Sequence, residues 1–453
     1  MAVKLTKNEL KVQKDRLKQF QRYLPTLRLK KQQLQAVVMQ VTAQLEQVEQ
    51  QRRAAVAGLD DWVAVFAEND SFPADRRLEA LIRPHSVVCG QENIAGVTVP
   101  VFQELTFEDI CYDVADYPLW VDTAAVRLRE IAALDAMAGR KGTVGVYNYK
   151  TGEILCALTT PTYDPDNVPD IASDTSGQYD GVYLNRFLQS TYVPGSIFKV
   201  VTTAAALDCV PDILDKTFTC YGAYEYGTEK VTCEKAHGTL TLKTALANSC
   251  NCSFAQIAEL VGKKNMVKYV EQFGVTDSLS FDGVTTAEGN YDISNTAPVS
   301  FAWSCIGQHT DLINPARYMT FMGAIAGGGV GAEPYLVSEV RSGEELTYEA
   351  KTKTTGRIMS QDVADQVKAY MRNNVQSVYG DWNFNGMNVC AKSGTSQLGG
   401  GQKSNAMFAG FVEDEQYPLA FIVVVETGGY GSATCVPVLS KVLAACKSVL
   451  DGE

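Results

Sequence analysis

Between Leu17 and Val48, apolar residues fall at positions 17, 20, 24, 27, 34, 38, 41, 45 and 48, with Lys31 in the slot that interrupts the series. Steps of three and four place these positions on one stripe of an α-helix, and the Lys, Arg and Gln between them keep the rest of its surface solvated. So narrow a stripe is a coiled-coil seam, which needs a second helix or a second copy of the chain to cover it. A long helix that is bent at Pro25 and either pairs or self-associates is therefore expected. It is also basic. Residues 1–53 carry twelve Lys and Arg against four Asp and Glu, a local +8 in a chain of net charge −12, which leaves −20 for the remainder. That balance excludes a general nucleic-acid binder.

The 453 residues suffice for two or three domains, and 46% hydrophobic with 20% charged residues excludes wholesale disorder and fibrous repeats. The start, MAVKLTKNEL, lacks the apolar centre of a signal peptide, and no apolar run approaches the roughly eighteen residues that span a bilayer. As written, the chain is expected to be cytosolic. Twelve cysteines are many for that compartment. Cys220 and Cys233 bracket the hairpin-like CYGAYEYGTEKVTC, with His237 just beyond. Reduced thiols, a disulfide and a metal site all remain open there. Reduced thiols are preferred and no metal is assigned, because a Cys-x2-Cys knuckle is missing. Cys250 and Cys252 are expected to pack around Asn251.

Residues 86–107, SVVCGQENIAGVTVPVFQELTF, alternate around two glycines as a short strand pair, and another helix is expected from near Val121. LTKNELKVQKDRLKQFQRYLPTLRLKKQQLQ, ENIAGVTVPVF and YPLWVD resemble the N-terminal part of the D subunit of V-type and archaeal-type ATPases, over about residues 1–133. That resemblance implies a rotor-shaft helix that pairs antiparallel with a C-terminal helix, and partners among rotary ATPase stalk subunits. Here the second helix is expected to stop soon after it starts, which leaves self-association as the other way to cover the seam. Around AALDAMAGRKG the texture changes. VGVYNYKTGEILCALTT follows with a hairpin pattern, then helical stretches at 196–208, 241–263 and 360–374 and strands at 387–395, 406–413 and 419–426. Helices and strands grouped in blocks imply an α+β domain with an antiparallel sheet over about residues 134–453.

Three short motifs stand in order within this second part. Ser196 precedes Lys199 by three residues at the start of an expected helix, so the two side chains share its first turn. Ser249-Cys250-Asn251 lies in the helical ALANSCNCSFAQIAELVG, and Lys392-Ser393-Gly394-Thr395 marks a strand that enters a glycine-rich turn. The ordered set, with its flanks YVPGSIFK, HGTLTLKTALANSCN and AKSGTSQLGGGQKSNAMFAGF, resembles the transpeptidase domain of monofunctional penicillin-binding proteins. The resemblance implies a penicillin-binding/β-lactamase-like fold. It also implies that Ser196 is acylated, Lys199 activates it, Ser249 relays a proton, Asn251 holds substrate and Lys199, and Lys392, Ser393, Gly394 and Thr395 receive the substrate carboxylate. The amides of Ser196 and Thr395 would form the oxyanion hole. Met407 stands where the family often has tryptophan. Lys150-Thr151-Gly152 also spells the third motif, but it precedes the serine and is expected to be an ordinary hairpin turn.

The expected activity is D,D-transpeptidation of D-alanyl-D-alanine stem peptides, with acylation by β-lactams and no cofactor. Alternatives are a serine β-lactamase, a D,D-carboxypeptidase, and a non-enzymatic rotor-stalk protein with an inert passenger. A deacylating glutamate four residues before an asparagine is missing between the second and third motifs, which favours transfer to an amine. Partners would be peptidoglycan stem peptides, β-lactams and cell-wall synthesis proteins. The family works at the outer face of the cytoplasmic membrane, so fusion to a rotor-like segment implies a chimera joined between about Ile131 and Gly142.

Overall fold

In a computed structural model, the structure describes residues 84–94, 97–107 and 140–450, apart from 164–167, 169–170, 172–178, 180, 343–344, 385 and 398–402. The seam of residues 17–48, the helix expected near Val121 and the proposed junction up to residue 139 lie outside the described residues. The strand pair expected at 86–107 falls within them: β1, Pro84–Ile94, runs antiparallel to β2, Val97–Phe107, with Ile94 opposite Val97.

The second part begins with β3, Gly142–Asn148, and β4, Ile154–Thr160. Asn148 builds the turn between them. Its Oδ1 accepts from the amides of Lys150 and Thr151 at 2.9 and 3.1 Å, and its carbonyl accepts from Gly152 N at 2.8 Å. An asparagine side chain that mimics a backbone turn in this way explains why the alternating pattern breaks here. Four short strands follow: β5, Thr217–Cys220; β6, Ala223–Tyr226; β7, Glu229–Thr232; and β8, Gly238–Thr241. β5 pairs with β8, and the hairpin β6–β7 lies between them in sequence. Two further small pairs are β9, Ser280–Phe281, with β10, Val284–Thr285, and β11, Glu339–Ser342, with β12, Glu345–Glu349.

β13, Val389–Ser396, β14, Asn405–Val412, and β15, Leu419–Val425, complete the main sheet. Its order is β13-β14-β15-β3-β4, antiparallel throughout. This is the expected α+β arrangement. β14 and β15 are buried along their whole length, and the two-residue period explains how both faces are filled. Ala406, Phe408 and Val412, with Leu419, Phe421, Val423 and Val425, join one core, to which the helix Gly431–Leu450 contributes Val436, Leu439 and Leu443. Met407, Ala409 and Phe411, with Ala420, Ile422 and Val424, join the other, which holds Tyr318, Met319 and Met322 of the helix Pro315–Ala326. Met407 is thus fully buried core. Phe408 stacks on Phe421 with centroids 6.2 Å apart and takes the edge of Tyr379 at 5.1 Å.

Two helical expectations need correction. Ser196 lies in a 3-10 turn, Gly195–Phe198, and the α-helix starts at Lys199 and ends at Cys209. The helix expected over 241–263 is two helices, Leu242–Ala247 and Asn251–Val261, because Ser249 adopts a left-handed φ of 50°. A non-glycine residue there reverses the chain and ends the first helix. The helix expected at 360–374 is present as Gln361–Asn374, capped by the Ser360 side chain. Among the described residues, no helix is long and apolar enough to cross a membrane.

Candidate active site

The three motifs, far apart in sequence, meet where the sheet edge β13 lies against the 3-10 turn. Gly195 makes this approach possible. Its φ is 57°, and a Cβ there would meet the Thr395 carbonyl oxygen at 2.7 Å. Across the same contact, a Cβ on Gly394 would meet the Pro194 carbonyl oxygen at 2.9 Å and Ile197 N at 3.2 Å. Two glycines therefore let backbone touch backbone, which brings the stretch Ser393-Gly394-Thr395 beside Ser196.

Lys199 occupies the centre and is fully buried. Its Nζ lies 3.1 Å from Ser196 Oγ, 3.1 Å from Ser249 Oγ, 2.6 Å from the Ser249 carbonyl oxygen and 2.8 Å from Asn251 Oδ1. The helix break delivers the last three, because the left-handed turn at Ser249 aims both its hydroxyl and its carbonyl at one nitrogen. Asn251 is held in turn by donating from Nδ2 to the Thr232 carbonyl at 2.8 Å. From the sheet side, Lys392 Nζ, also fully buried, donates to Ser249 Oγ at 3.0 Å and to the Ser393 carbonyl at 2.7 Å. Ser249 Oγ thus sits between two amines.

Burial removes water from both ammonium groups and disfavours their charge. It lowers Lys199 to about 8, against the opposing pull of the nearby Cys233, Cys250 and Cys252 thiols. Burial also drives Lys392 well down, and the charge of Lys199 adds to the effect. Burial is thus the leading cause at both lysines, and the repulsion between them adds to it at Lys392. Over these two buried amines, Ser196, Ser249, Asn251, Ser393 and Thr395 are only half-buried. The polar groups that face solvent therefore share one floor of low-lying nitrogen bases.

Two positioning contacts lie outside the motifs. Tyr379 OH is 2.9 Å from Ser393 Oγ and accepts from Ser393 N at 3.0 Å. Gln308 donates from Nε2 to the Thr395 carbonyl at 2.7 Å and accepts from Gln397 N at 3.2 Å. No local sequence signal marks either residue, since each acts only through a partner that the fold brings to it. Thr395 Oγ1 accepts from Gly431 N at 3.2 Å, at the start of the C-terminal helix. Lys150, by contrast, stays in the β3–β4 turn, half-exposed and paired with Glu415.

Residues 142–444 match the family model of the penicillin binding protein transpeptidase domain. The chain belongs to this family. A separate family model, that of the D subunit of ATP synthase, matches residues 9–139. Among curated relatives of the transpeptidase part, peptidoglycan D,D-transpeptidase PbpA of Mycolicibacterium smegmatis is 27% identical over 368 residues, covering 72% of this chain and 72% of that protein. The D subunit of the V-type ATP synthase of Borreliella burgdorferi is 39% identical over 135 residues, which are 29% of this chain. The chain spans 63% of that protein's length. The D,D-transpeptidase domain of a peptidoglycan glycosyltransferase from Eggerthella lenta superposes with a TM-score of 0.62 at 28% identity, covering 70% of this chain and 81% of that one. The sheet described above is antiparallel and flanked by helices on both faces.

Proposed function

We propose that this chain is an active-serine D,D-transpeptidase that cross-links peptidoglycan stem peptides and is acylated by β-lactams. The observation that carries this reading is the set of four oxygens around Lys199 Nζ. Two of them, the Ser249 carbonyl and Asn251 Oδ1, can only accept, and they are the nearer two. A neutral amine satisfies both with its two hydrogens, which leaves its lone pair for a hydroxyl at 3.1 Å. Ser196 supplies that hydroxyl. As its Oγ attacks the penultimate D-alanyl carbonyl, its proton passes to Lys199, and the carbonyl π electrons move onto the oxygen. The backbone amides of Ser196 and Thr395 then hold the oxyanion. Collapse breaks the C–N bond, and Ser249 takes the proton from Lys199 at 3.1 Å as it hands its own to the departing D-alanine amine. Lys392, Ser393, Gly394 and Thr395 hold the terminal carboxylate. A second stem-peptide amine then attacks the acyl carbonyl, forming the new C–N bond as the ester C–O bond breaks, and the proton it loses returns through Ser249 and Lys199 to Ser196 Oγ.

The domain boundary proposed at about residue 133 is supported by the two family models, which end at 139 and begin at 142. A chimera that joins a segment of this rotor-subunit type to a transpeptidase is the reading this favours, and the rotor-like segment brings stalk subunits or self-association as its partners. The test of the reaction supplies a D-alanyl-D-alanine stem peptide with and without an acceptor amine. Cross-linked product that requires the acceptor supports transpeptidation. Free acid formed equally with or without the acceptor would mean a carboxypeptidase, and no turnover would favour an inert passenger.

A further inference from the structure

The two amides proposed for the oxyanion hole belong to different parts of the fold, Ser196 N to the 3-10 turn and Thr395 N to β13. Their spacing depends on what joins turn to strand, and the dipeptide Gly307-Gln308 does so. The helix Pro298–Ile306 ends in a Schellman motif: Gly307, at a φ of 83°, donates from N to the Ser304 carbonyl at 2.9 Å, and Gln308 N donates to the Trp303 carbonyl at 2.9 Å. The motif fixes the backbone from which the Gln308 side chain leaves. On the turn side, the Gly307 carbonyl accepts from Gly195 N at 2.8 Å, and a Cβ on Gly307 would meet the Gly195 carbonyl oxygen at 2.3 Å. The same helix end is fastened to the helix after the serine turn, where buried Thr202 donates from Oγ1 to the Cys305 carbonyl at 2.6 Å. On the strand side, β13 is the end strand of the sheet, so its outer backbone groups have no neighbouring strand to hold them. Side chains take that place. Arg372 donates to the Val389 carbonyl at 3.1 Å, Asn374 to the Ala391 carbonyl at 3.0 Å, and Tyr379 OH accepts from Ser393 N at 3.0 Å. Gln308 continues the series, donating to the Thr395 carbonyl at 2.7 Å and accepting from Gln397 N at 3.2 Å. The first three come from the stretch 361–379, whereas Gln308 comes from the helix end that also grips the serine turn.

We propose that Gly307-Gln308 is a clip that sets the distance between the two oxyanion-hole amides, and that Gln308 is a positioning residue for acylation. The role rests on the transpeptidase reading, because the hole acts only when a carbonyl is attacked at Ser196. As charge develops on that carbonyl oxygen it draws on both amides at once, and amides already held at the working separation need not move. Gln308 acts through the strand, since both polar atoms of its side chain are committed to Thr395 and Gln397. Without the clip the strand edge beyond Thr395 is free to drift from the turn. The carboxylate pocket keeps its own supports, Tyr379 on Ser393 and Lys392 on the Ser393 carbonyl. Loss of the clip therefore slows the acylation step and spares the binding that precedes it.

Gln308→Met keeps the length of the side chain and removes both hydrogen bonds, while Gln308→Glu keeps an acceptor for Gln397 N but sets a carboxylate oxygen against the Thr395 carbonyl. On the full chain, the limiting rate of acylation by fluorescent penicillin should fall about tenfold or more in Gln308→Met and further in Gln308→Glu. The penicillin concentration at half-maximal rate should change less than about twofold. Affinity for a phenylacetamido boronic acid, whose adduct with Ser196 places a boron-bound oxygen between the two amides, should fall by the same factor as the rate. Hydrogen–deuterium exchange of peptides spanning 389–397 reads the clip itself, and it should speed up in Gln308→Met whether or not the chain is acylated. Unchanged exchange would overturn the clip. A wild-type limiting rate in Gln308→Met, with or without a lower melting temperature, or a loss confined to the half-maximal concentration, would overturn the positioning role. Faster exchange in a chain that penicillin never labels would sustain the clip and count against the transpeptidase reading.

Discussion

At the scale of single residues, the account turns on which nitrogens are neutral and what they touch. With burial lowering Lys199 to about 8, the fraction of free amine grows as pH rises through that value. Lys392, Cys233, Cys250 and Cys252 are the titratable groups that face it. Acylation should therefore climb about tenfold per pH unit below 8 and level off above it, which stopped-flow labelling across pH 6 to 9.5 can follow. A profile that falls over the same range would mean that the ammonium is the working form. Lys392→Ala should slow acylation by roughly ten- to a hundredfold, since an incoming carboxylate restores the Lys392 charge that burial disfavours in the free site, and a charge-assisted contact contributes about 1.5 to 3 kcal/mol. Lys150→Ala, which removes only a half-exposed turn residue paired with Glu415, should leave the rate unchanged. Equal defects in both variants would mean that the third motif lies in the β3–β4 turn. Tyr379→Phe strips Ser393 N of its acceptor in a half-buried site. It should cost about 1 to 3 kcal/mol of stability and weaken carboxylate capture, seen as a lower melting temperature and a raised penicillin concentration at half-maximal rate.

At the scale of elements, the site depends on the approach of β13 to the 3-10 turn. Gly195→Ala places a Cβ at 2.7 Å from the Thr395 carbonyl oxygen and asks alanine to hold a φ of 57°. The expected result is a loss of about 1 to 3 kcal/mol in chemical denaturation and a drop in acylation larger than that of a distant destabilising variant. Unchanged acylation would mean that the strand does not need this contact. Much at this scale was legible beforehand. The β3–β4 hairpin announced itself by alternation around Lys-Thr-Gly, and the buried strands β14 and β15 by continuous apolar runs. The order of the three motifs was legible too. The break at Ser249 was not, because ALANSCNCSFAQIAELVG has helical composition throughout, and the left-handed residue that splits it is a serine. Tyr379 and Gln308 were hidden for another reason: their partners lie 14 and 87 positions away, and only the completed sheet edge joins them. The thiol and imidazole cluster of Cys220, Cys233, His237 and Cys250 was seen in fragments, as a cysteine-bracketed hairpin and a Cys-Asn-Cys turn, but its convergence depends on strand pairing together with the helix break that places Cys250.

At the scale of the whole molecule, two family models divide the sequence, and the described core of the second part closes on itself. β3 lies beside β15, and the sheet edge reaches back to Arg140 and Lys141, whose carbonyls accept from Thr160 Oγ1 at 2.6 Å and from Glu426 N at 2.8 Å. A fragment that starts near Ala136 keeps these contacts and both hydrophobic cores. It should melt in one cooperative transition and bind penicillin at the rate of the full chain. Failure to fold would show that the rotor-like N-terminal part is structurally required and would weaken the reading of a chimera. The central claim is narrower still: this chain carries a serine transpeptidase centre at Ser196. The direct measurement is the mass of the full chain after exposure to penicillin, followed by peptide mapping of the adduct. The account predicts a gain of one intact penicillin on the peptide that contains Ser196, and none in Ser196→Ala. An unmodified wild-type chain, or an adduct that persists in Ser196→Ala, would contradict it.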